Sequence, residues 1–218
     1  MATDFTLAER PTDLRLYVGV KRLLDYVVCA PLLVVSLPLM MVIAAAIYLC
    51  SPGPVLFVQE REGYRGRTIR VLKFRTMYLD ASERLAVCLA ANADMEQEWL
   101  RCFKLRQDPR LIGVIGKLLR CSCLDELPQL FNVLRGDMTL IGPRPFPRYH
   151  LAAFDSEFRR LRSGVVPGIT GLWQVERHDN TLETQVVLDS YYINHLSPKL
   201  DAYILLRTVL TVLMFRNG

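Results

Sequence analysis

From Tyr26 to Cys50 the chain reads YVVCAPLLVVSLPLMMVIAAAIYLC, 25 residues without a single charge. About 20 such residues are enough to cross a bilayer as a helix, so this stretch decides what the rest of the chain can fold around. It is too long for a signal peptide and lacks a small-residue cleavage site. Pro38 sits at its centre, where it removes a backbone donor and crowds the preceding turn. Basic residues flank both ends: Arg15, Lys21 and Arg22 before it, and Arg61, Arg65, Arg67, Arg70 and Lys73 after it. Cytoplasmic loops carry the excess of Lys and Arg, so both flanks belong on the cytoplasmic side, with Met1 and Lys73 sharing that side. A helix broken at Pro38 that dips into one leaflet and returns satisfies both flanks. A straight span satisfies one and stays open on hydropathy.

Bulk properties agree with membrane contact. Hydrophobic residues make up 51% of the 218 and the mean hydropathy is +0.21, more apolar than soluble domains usually are. Lys and Arg outnumber Asp and Glu by 27 to 22, for a net charge of +5 and a pI near 9.0. That balance suits anionic lipid, phosphorylated substrates or nucleic acid. The basic residues interleave with a membrane segment rather than with aromatics, which argues against a nucleic-acid surface. Six cysteines (29, 50, 88, 102, 121 and 123) show no C-x-x-C pair and read as small hydrophobes. His150, His178 and His195 are scattered, so neither a metal cluster nor a histidine-centred mechanism is indicated.

The remainder reads as one domain, residues 1–218, without repeats or linkers. SPGPVLF (51–57) closes the membrane segment with a Pro/Gly corner. Residues 61–77 predict a turn at Gly63–Gly66 and then a strand through Ile69, Val71 and Phe74. Residues 80–105 predict helix, and another short helix follows Pro109. Leu127–Leu134 predicts a helix with Pro128 in its first turn and Gly136 at its end. RSGVVPGITGLWQV (162–175) reads as loop, and Leu200–Phe215 as an interfacial or core helix.

The chemistry concentrates in CLDELPQLFNVLRGDMTLIGPRP (123–145). Asp125 and Glu126 precede a helix start, where backbone N–H groups favour negative charge. Ser122 and Asp125 also have capping-box spacing, a purely structural alternative. Against it stands the supply of cations: Lys73 and Arg75 in KFRTM, Arg120 just upstream, and Arg144 fixed between Pro143 and Pro145. Guanidinium forks grip phosphate at two points. An acid pair beside them suits phosphoryl chemistry, one carboxylate attacking phosphorus or holding a divalent metal and the other managing protons or orientation. Oxygen ligands and a phosphate substrate call for magnesium. No Walker A or G-x-G-x-x-G loop is present. The residues alone lead to a membrane-attached, phosphate-handling protein.

Beyond that point the motifs carry a resemblance. KRLLD (21–25), the segment with central Pro38, PGPVLFVQEREGYRGRTIRVLKFRTM, KLRQDPRLIGVIGKLLR, LDELPQLFNVLRGDMTLIGPRP and PGITGLWQV fall in the order seen in the bacterial sugar transferases, the monotopic phosphoglycosyl transferases, and cover nearly the whole chain. The resemblance implies an α+β, mainly helical monotopic membrane protein. Its parts would be a re-entrant helix broken at Pro38 (about 21–50), a small cytosolic catalytic part (51–218) and interfacial amphipathic helices. It implies that Asp125 is the nucleophile, Glu126 its dyad partner, Lys73, Arg75, Arg120 and Arg144 the phosphate-binding set, and Mg2+ the metal, held partly by Asp125. The implied reaction passes a sugar 1-phosphate from a UDP-sugar to undecaprenyl phosphate through an aspartyl phosphosugar, releasing UMP. It would run at the cytoplasmic face of the bacterial inner membrane, as the first membrane step of polysaccharide or glycoconjugate synthesis. Membrane lipid is an implied partner, and self-association is left open. The C-terminal run resembles the branch whose larger members transfer hexose 1-phosphates and carry extra N-terminal membrane helices and a further domain. Two positions depart from the family pattern: Ile112 stands where threonine is usual in D-P-R-I-T, and Cys123 where serine precedes L-D-E. The rival expectation is a non-catalytic membrane-bound interaction protein on the same fold.

Overall fold

The computed structural model describes residues 12–102, 105, 107–176 and 181–213. Met1, Lys104, Arg106, His178 and Phe215 lie outside these, and with them the expectation for the N-terminus. Among the described residues the chain is mainly helical, with two small two-stranded sheets. Helix α1 (Thr12–Cys50) leads into an antiparallel hairpin, β1 (Leu56–Glu62) and β2 (Thr68–Phe74). A helical pair follows, α2 (Ala81–Ala91) and α3 (Ala93–Cys102), then α4 (Gly113–Cys121), a 3-10 turn (Leu124–Glu126) and α5 (Gln129–Arg135). The last third holds β3 (Thr139–Ile141), α6 (Arg148–Leu151), α7 (Ser156–Ser163), β4 (Gly168–Thr170), α8 (Leu172–Glu176), α9 (Leu182–Asn194) and α10 (Pro198–Leu213). β3 and β4 pair in parallel. The loop expected over 162–175 thus contains a strand and a helix; its glycines and prolines mask elements too short to show periodicity.

At 1.5 Å per residue, α1 is about 58 Å long. Its helical conformation runs through Pro31 and Pro38, where the sequence led us to expect a break at Pro38. Each proline deletes one backbone donor, yet neighbouring contacts keep the helix. Leu33 packs against two core clusters at once, and Ser36 donates its hydroxyl to the Leu33 carbonyl at 3.0 Å. The two prolines stand seven residues apart, nearly two turns, so the missing bonds weaken one side of the helix.

Only one stripe of α1 meets the body: Asp25, Cys29, Ser36, Met40, Ile43 and Ile47 are buried. Their spacing follows the helical period. Cys29 packs with Ile69, Val71, Leu130, Val133 and Met138, while Met40, Ile43 and Ile47 pack with Phe74, Ile112 and Leu119. The rest of the helix surface, including Val27, Val34, Val35, Met41, Val42 and Leu49, is exposed and apolar. It is the one described helix long and apolar enough to cross a membrane, by length and composition. Its contact with the body nevertheless extends along most of its length.

The polar residues of KRLLD all face that body. Arg22 donates to the Val133 carbonyl (2.9 Å), at the end of α5, and to the Met138 carbonyl (2.7 Å). Asp25 accepts from Thr139 Oγ1 (2.6 Å) and from the Leu140 N–H (3.0 Å), which ties α1 to β3. Lys21 reaches Asp201 of α10 and Tyr192 of α9. The helix expected over Leu127–Leu134 forms as α5 but starts at Gln129, with Pro128 at its N-cap rather than in its first turn, and is capped at Gly136, whose φ of 94° a side chain would strain.

Candidate active site

The acid pair sits on a reversal of the chain. After α4 the backbone turns at Cys123, which holds a left-handed φ of 57°. Asp125 and Glu126 follow in the 3-10 turn, while Leu124 and Leu127 anchor it in the core. The capping box does not form: Ser122 Oγ donates back to the Leu118 carbonyl at 2.7 Å. The acids are therefore not used as helix caps.

Strand β2 brings Lys73 to this turn, and the register is held by Asn132. That fully buried amide accepts from the Leu72 N–H (3.0 Å) and donates to the Arg70 carbonyl (2.7 Å), imitating a neighbouring strand along the free edge of β2. Lys73 Nζ consequently lies 2.5 Å from Glu126 Oε1 and 4.0 Å from Asp125 Oδ2. Arg144 Nη2 donates to the same Glu126 oxygen at 2.7 Å. Burial alone would raise the Glu126 carboxyl, but Arg144 and Lys73 outweigh it and hold it well below the usual range. Asp125 behaves oppositely: burial and then the neighbouring Glu126 push its carboxyl up, against Lys73, Arg144 and Arg120. Glu126 is thus a fixed anion between two cations. Asp125 is buried, and its carboxylate makes no hydrogen bond among the described residues, which leaves it available for chemistry.

Arg144 is held through its backbone. The Pro143 carbonyl accepts from the Gly168 N–H (3.0 Å), the Arg144 carbonyl from Arg162, the Pro145 carbonyl from Arg61 (2.6 Å) and the Phe146 carbonyl from the Glu62 N–H (2.9 Å). Gly142 and Gly168 face each other so closely that a Cβ on Gly168 would collide with the Gly142 backbone. This close approach joins the GPRP corner to the PGITG stretch.

The other anticipated site residues divide. Arg120, in the last turn of α4, donates to Thr76 Oγ1 at 3.1 Å and lies 3.8 Å from Asp108. Burial lowers its pKa despite the opposing Asp108 and Asp125 charges, and its side chain is half exposed. Arg75 stands apart. It is buried and donates to the Ser51 carbonyl just beyond α1, with Nε and Nη1 unpartnered among the described residues. The structure therefore brings Lys73 and Arg144 to Asp125 and Glu126, holds Arg120 against Thr76 and Asp108, and ties Arg75 to the end of α1. Sequence reasoning missed Asn132, Arg61, Arg162 and Asp189, because a buried polar residue in a distant segment leaves no local pattern.

The two departures from the family pattern have local consequences. Ile112 occupies the N-cap of α4, which therefore lacks a side-chain cap, and packs in the core with Phe74 and Leu119. Burial, then the Glu126 and Asp125 carboxylates, push the Cys123 thiol up to about 11, so it stays protonated and unreactive at neutral pH.

No group of three or more His, Cys, Asp or Glu side chains forms a metal cluster among the described residues. Magnesium sites on phosphate substrates use one or two carboxylates and complete the shell with substrate oxygens and water. The carboxylate of Asp125, held only by the 4.0 Å ion pair to Lys73, fits that requirement, whereas both cations bond Glu126 directly.

Comparison with known proteins agrees with this geometry. Residues 16–215 match the family described as Bacterial sugar transferase. The chain is 35% identical to exopolysaccharide production protein ExoY of Sinorhizobium fredii, over 99% of its own length and 96% of that relative. It is 38% identical to the undecaprenyl-phosphate galactose phosphotransferase of Salmonella typhimurium over 91% of its length, but covers 41% of that relative. Against the undecaprenyl-phosphate glucose phosphotransferase of Komagataeibacter xylinus the figures are 39%, 91% and 36%. The chain thus spans nearly all of the first relative and well under half of the other two. A match running from α1 through the dyad turn to the end of α10 leaves one conclusion: the chain belongs to the bacterial sugar transferase family.

Proposed function

We propose that the protein transfers a sugar 1-phosphate from a UDP-hexose to undecaprenyl phosphate, releasing UMP, as an early step in exopolysaccharide or glycoconjugate synthesis. The observation that carries this is the asymmetry of the acid pair: Glu126 is locked between Lys73 and Arg144, whereas Asp125 is buried with only the longer 4.0 Å ion pair to Lys73. An Asp125 carboxylate oxygen attacks the phosphorus bearing the sugar. A new P–O bond forms, the bond to UMP breaks, and UMP leaves with the electron pair. A phosphate oxygen of the lipid then attacks the same phosphorus and frees Asp125. Arg144 and Lys73 balance the negative charge that gathers there, and Arg120 grips the outer phosphate oxygens. Magnesium, held by Asp125, would neutralise the diphosphate as UMP departs.

A lipid acceptor requires the site to lie at a membrane surface. The exposed apolar face of α1 is suited to entering one leaflet with both ends on the cytoplasmic side of the inner membrane; Pro38, which removes a backbone donor within the continuous helix, is where it would bend there. Exposed apolar residues on β1 (Leu56, Phe57, Val58), α4 (Val114, Leu118) and α10 (Leu205, Leu206, Val209) would rest at the interface. The names of the relatives support the substrates: galactose and glucose phosphotransferases acting on undecaprenyl phosphate. The test is UMP release by the detergent-purified chain from a panel of UDP-sugars with undecaprenyl phosphate and Mg2+. Release is expected with a UDP-hexose, and silence with every donor would contradict the proposal.

A further inference from the structure

Arg162, on α7, is buried and hydrogen-bonds in two directions. One guanidinium nitrogen pairs with Asp189 of α9, and the other donates to the main-chain carbonyl of Arg144. Its guanidinium carbon lies over the rings of Phe146 (4.3 Å) and Phe158 (5.5 Å). A buried ion pair is a costly way to hold two helices together, and apolar replacements of similar volume are often neutral or stabilising. Packing α7 on α9 therefore does not by itself call for a guanidinium here. Its distinctive contact is the carbonyl of Arg144. That residue precedes proline, which confines its backbone to extended conformations, and Pro143 and Pro145 have no N–H with which to anchor the corner. The orientation of the peptide between Arg144 and Pro145 is left to acceptor contacts, and the one at Arg144 itself comes from Arg162.

We propose that Arg162, backed by Asp189, is a positioning residue for phosphate recognition: by holding the Arg144 carbonyl it fixes the direction in which the Arg144 fork meets the substrate diphosphate. The inference rests on the phosphate-binding role given to Arg144 above. Lysine at 162 keeps the charge facing Asp189 but has a single nitrogen to share between two partners lying in different directions.

The test is a double-mutant cycle on the full chain in detergent, with UDP as probe because its diphosphate is common to all UDP-sugars. Arg162→Lys is expected to weaken UDP binding about tenfold in the wild-type background and by less than about twofold in an Arg144→Ala background, since it acts through Arg144. Equal losses in both backgrounds would show a purely structural role and overturn the inference. If Arg162→Lys unfolds the protein, Asp189→Asn, which keeps the shape and a hydrogen-bond acceptor, reads the same coupling; unchanged UDP affinity in that variant also overturns the inference. A wild-type chain that does not bind UDP overturns the phosphate-binding role of Arg144, and the inference with it.

Discussion

Glu126 shares one oxygen between Lys73 Nζ at 2.5 Å and Arg144 Nη2 at 2.7 Å, and this sharing organises the site. Removing its charge leaves two largely buried cations facing each other. Glu126→Gln is therefore expected to cost about 3 kcal/mol of stability, visible as a lower Tm, and to reduce turnover by more than tenfold. Arg144→Lys is the sharper probe of geometry. The ammonium can still pair with Glu126, so the fold should survive, but the two-point grip on phosphate is lost. A fall in kcat/KM of about a hundredfold with an unchanged Tm is expected. An Arg144→Lys enzyme of ordinary efficiency would mean that the fork does not touch the substrate. At this scale the sequence was most legible, since the acid pair, the pinned arginine and Lys73 all stand in short patterns with an evident chemical reason. Arg75 shows the limit of such patterns. Two residues beyond Lys73 in the same motif, it turns to the Ser51 carbonyl at the end of α1, and no spacing rule distinguishes the two cations.

Among the elements, β2 and α5 determine whether the site exists at all, because one carries Lys73 and the other follows the dyad. Their join is Asn132, which satisfies the Leu72 N–H and the Arg70 carbonyl on the open edge of β2. Asn132→Ala is expected to destabilise the protein by about 1–3 kcal/mol through these orphaned groups, measurable by denaturant unfolding. It should also lower activity beyond what the lost stability explains, because Lys73 is free to drift from Asp125. The end of α5 was readable from Gly136 and its start to within two residues from Pro128, because their backbone preferences act locally. The paired strands β3 and β4 were not, because three-residue strands joined across a long separation have no period of their own. The continuity of α1 through Pro38 was hidden for a related reason: a proline's local cost is visible in sequence, whereas the packing of Leu33 on two clusters is not.

Among the described residues the molecule is a catalytic body laid along one side of an apolar helix, the other side of which is exposed. A helix gripped by the body from Asp25 to Ile47 cannot cross a bilayer without drawing the charged site into hydrocarbon, and this sets the expected topology. Cysteines placed at Leu16 and Leu79, both well exposed, in a background cleared of native cysteines should both resist a membrane-impermeant maleimide applied outside intact inner membranes. Labelling at one site alone would mean that α1 spans the membrane. In the function proposed above, a body placed in this way would receive a water-soluble donor from one side and a lipid acceptor from the other, and Asp125 would carry the phosphosugar between them. Purified enzyme mixed with a radiolabelled UDP-hexose in Mg2+, without lipid acceptor, and then acid-quenched and proteolysed, tests that role directly. The expected result is phosphosugar mass on the peptide containing Asp125, released on adding undecaprenyl phosphate and absent from an inactive Asp125→Asn variant. Label on another residue, or an Asp125→Asn enzyme that turns over normally, would contradict it.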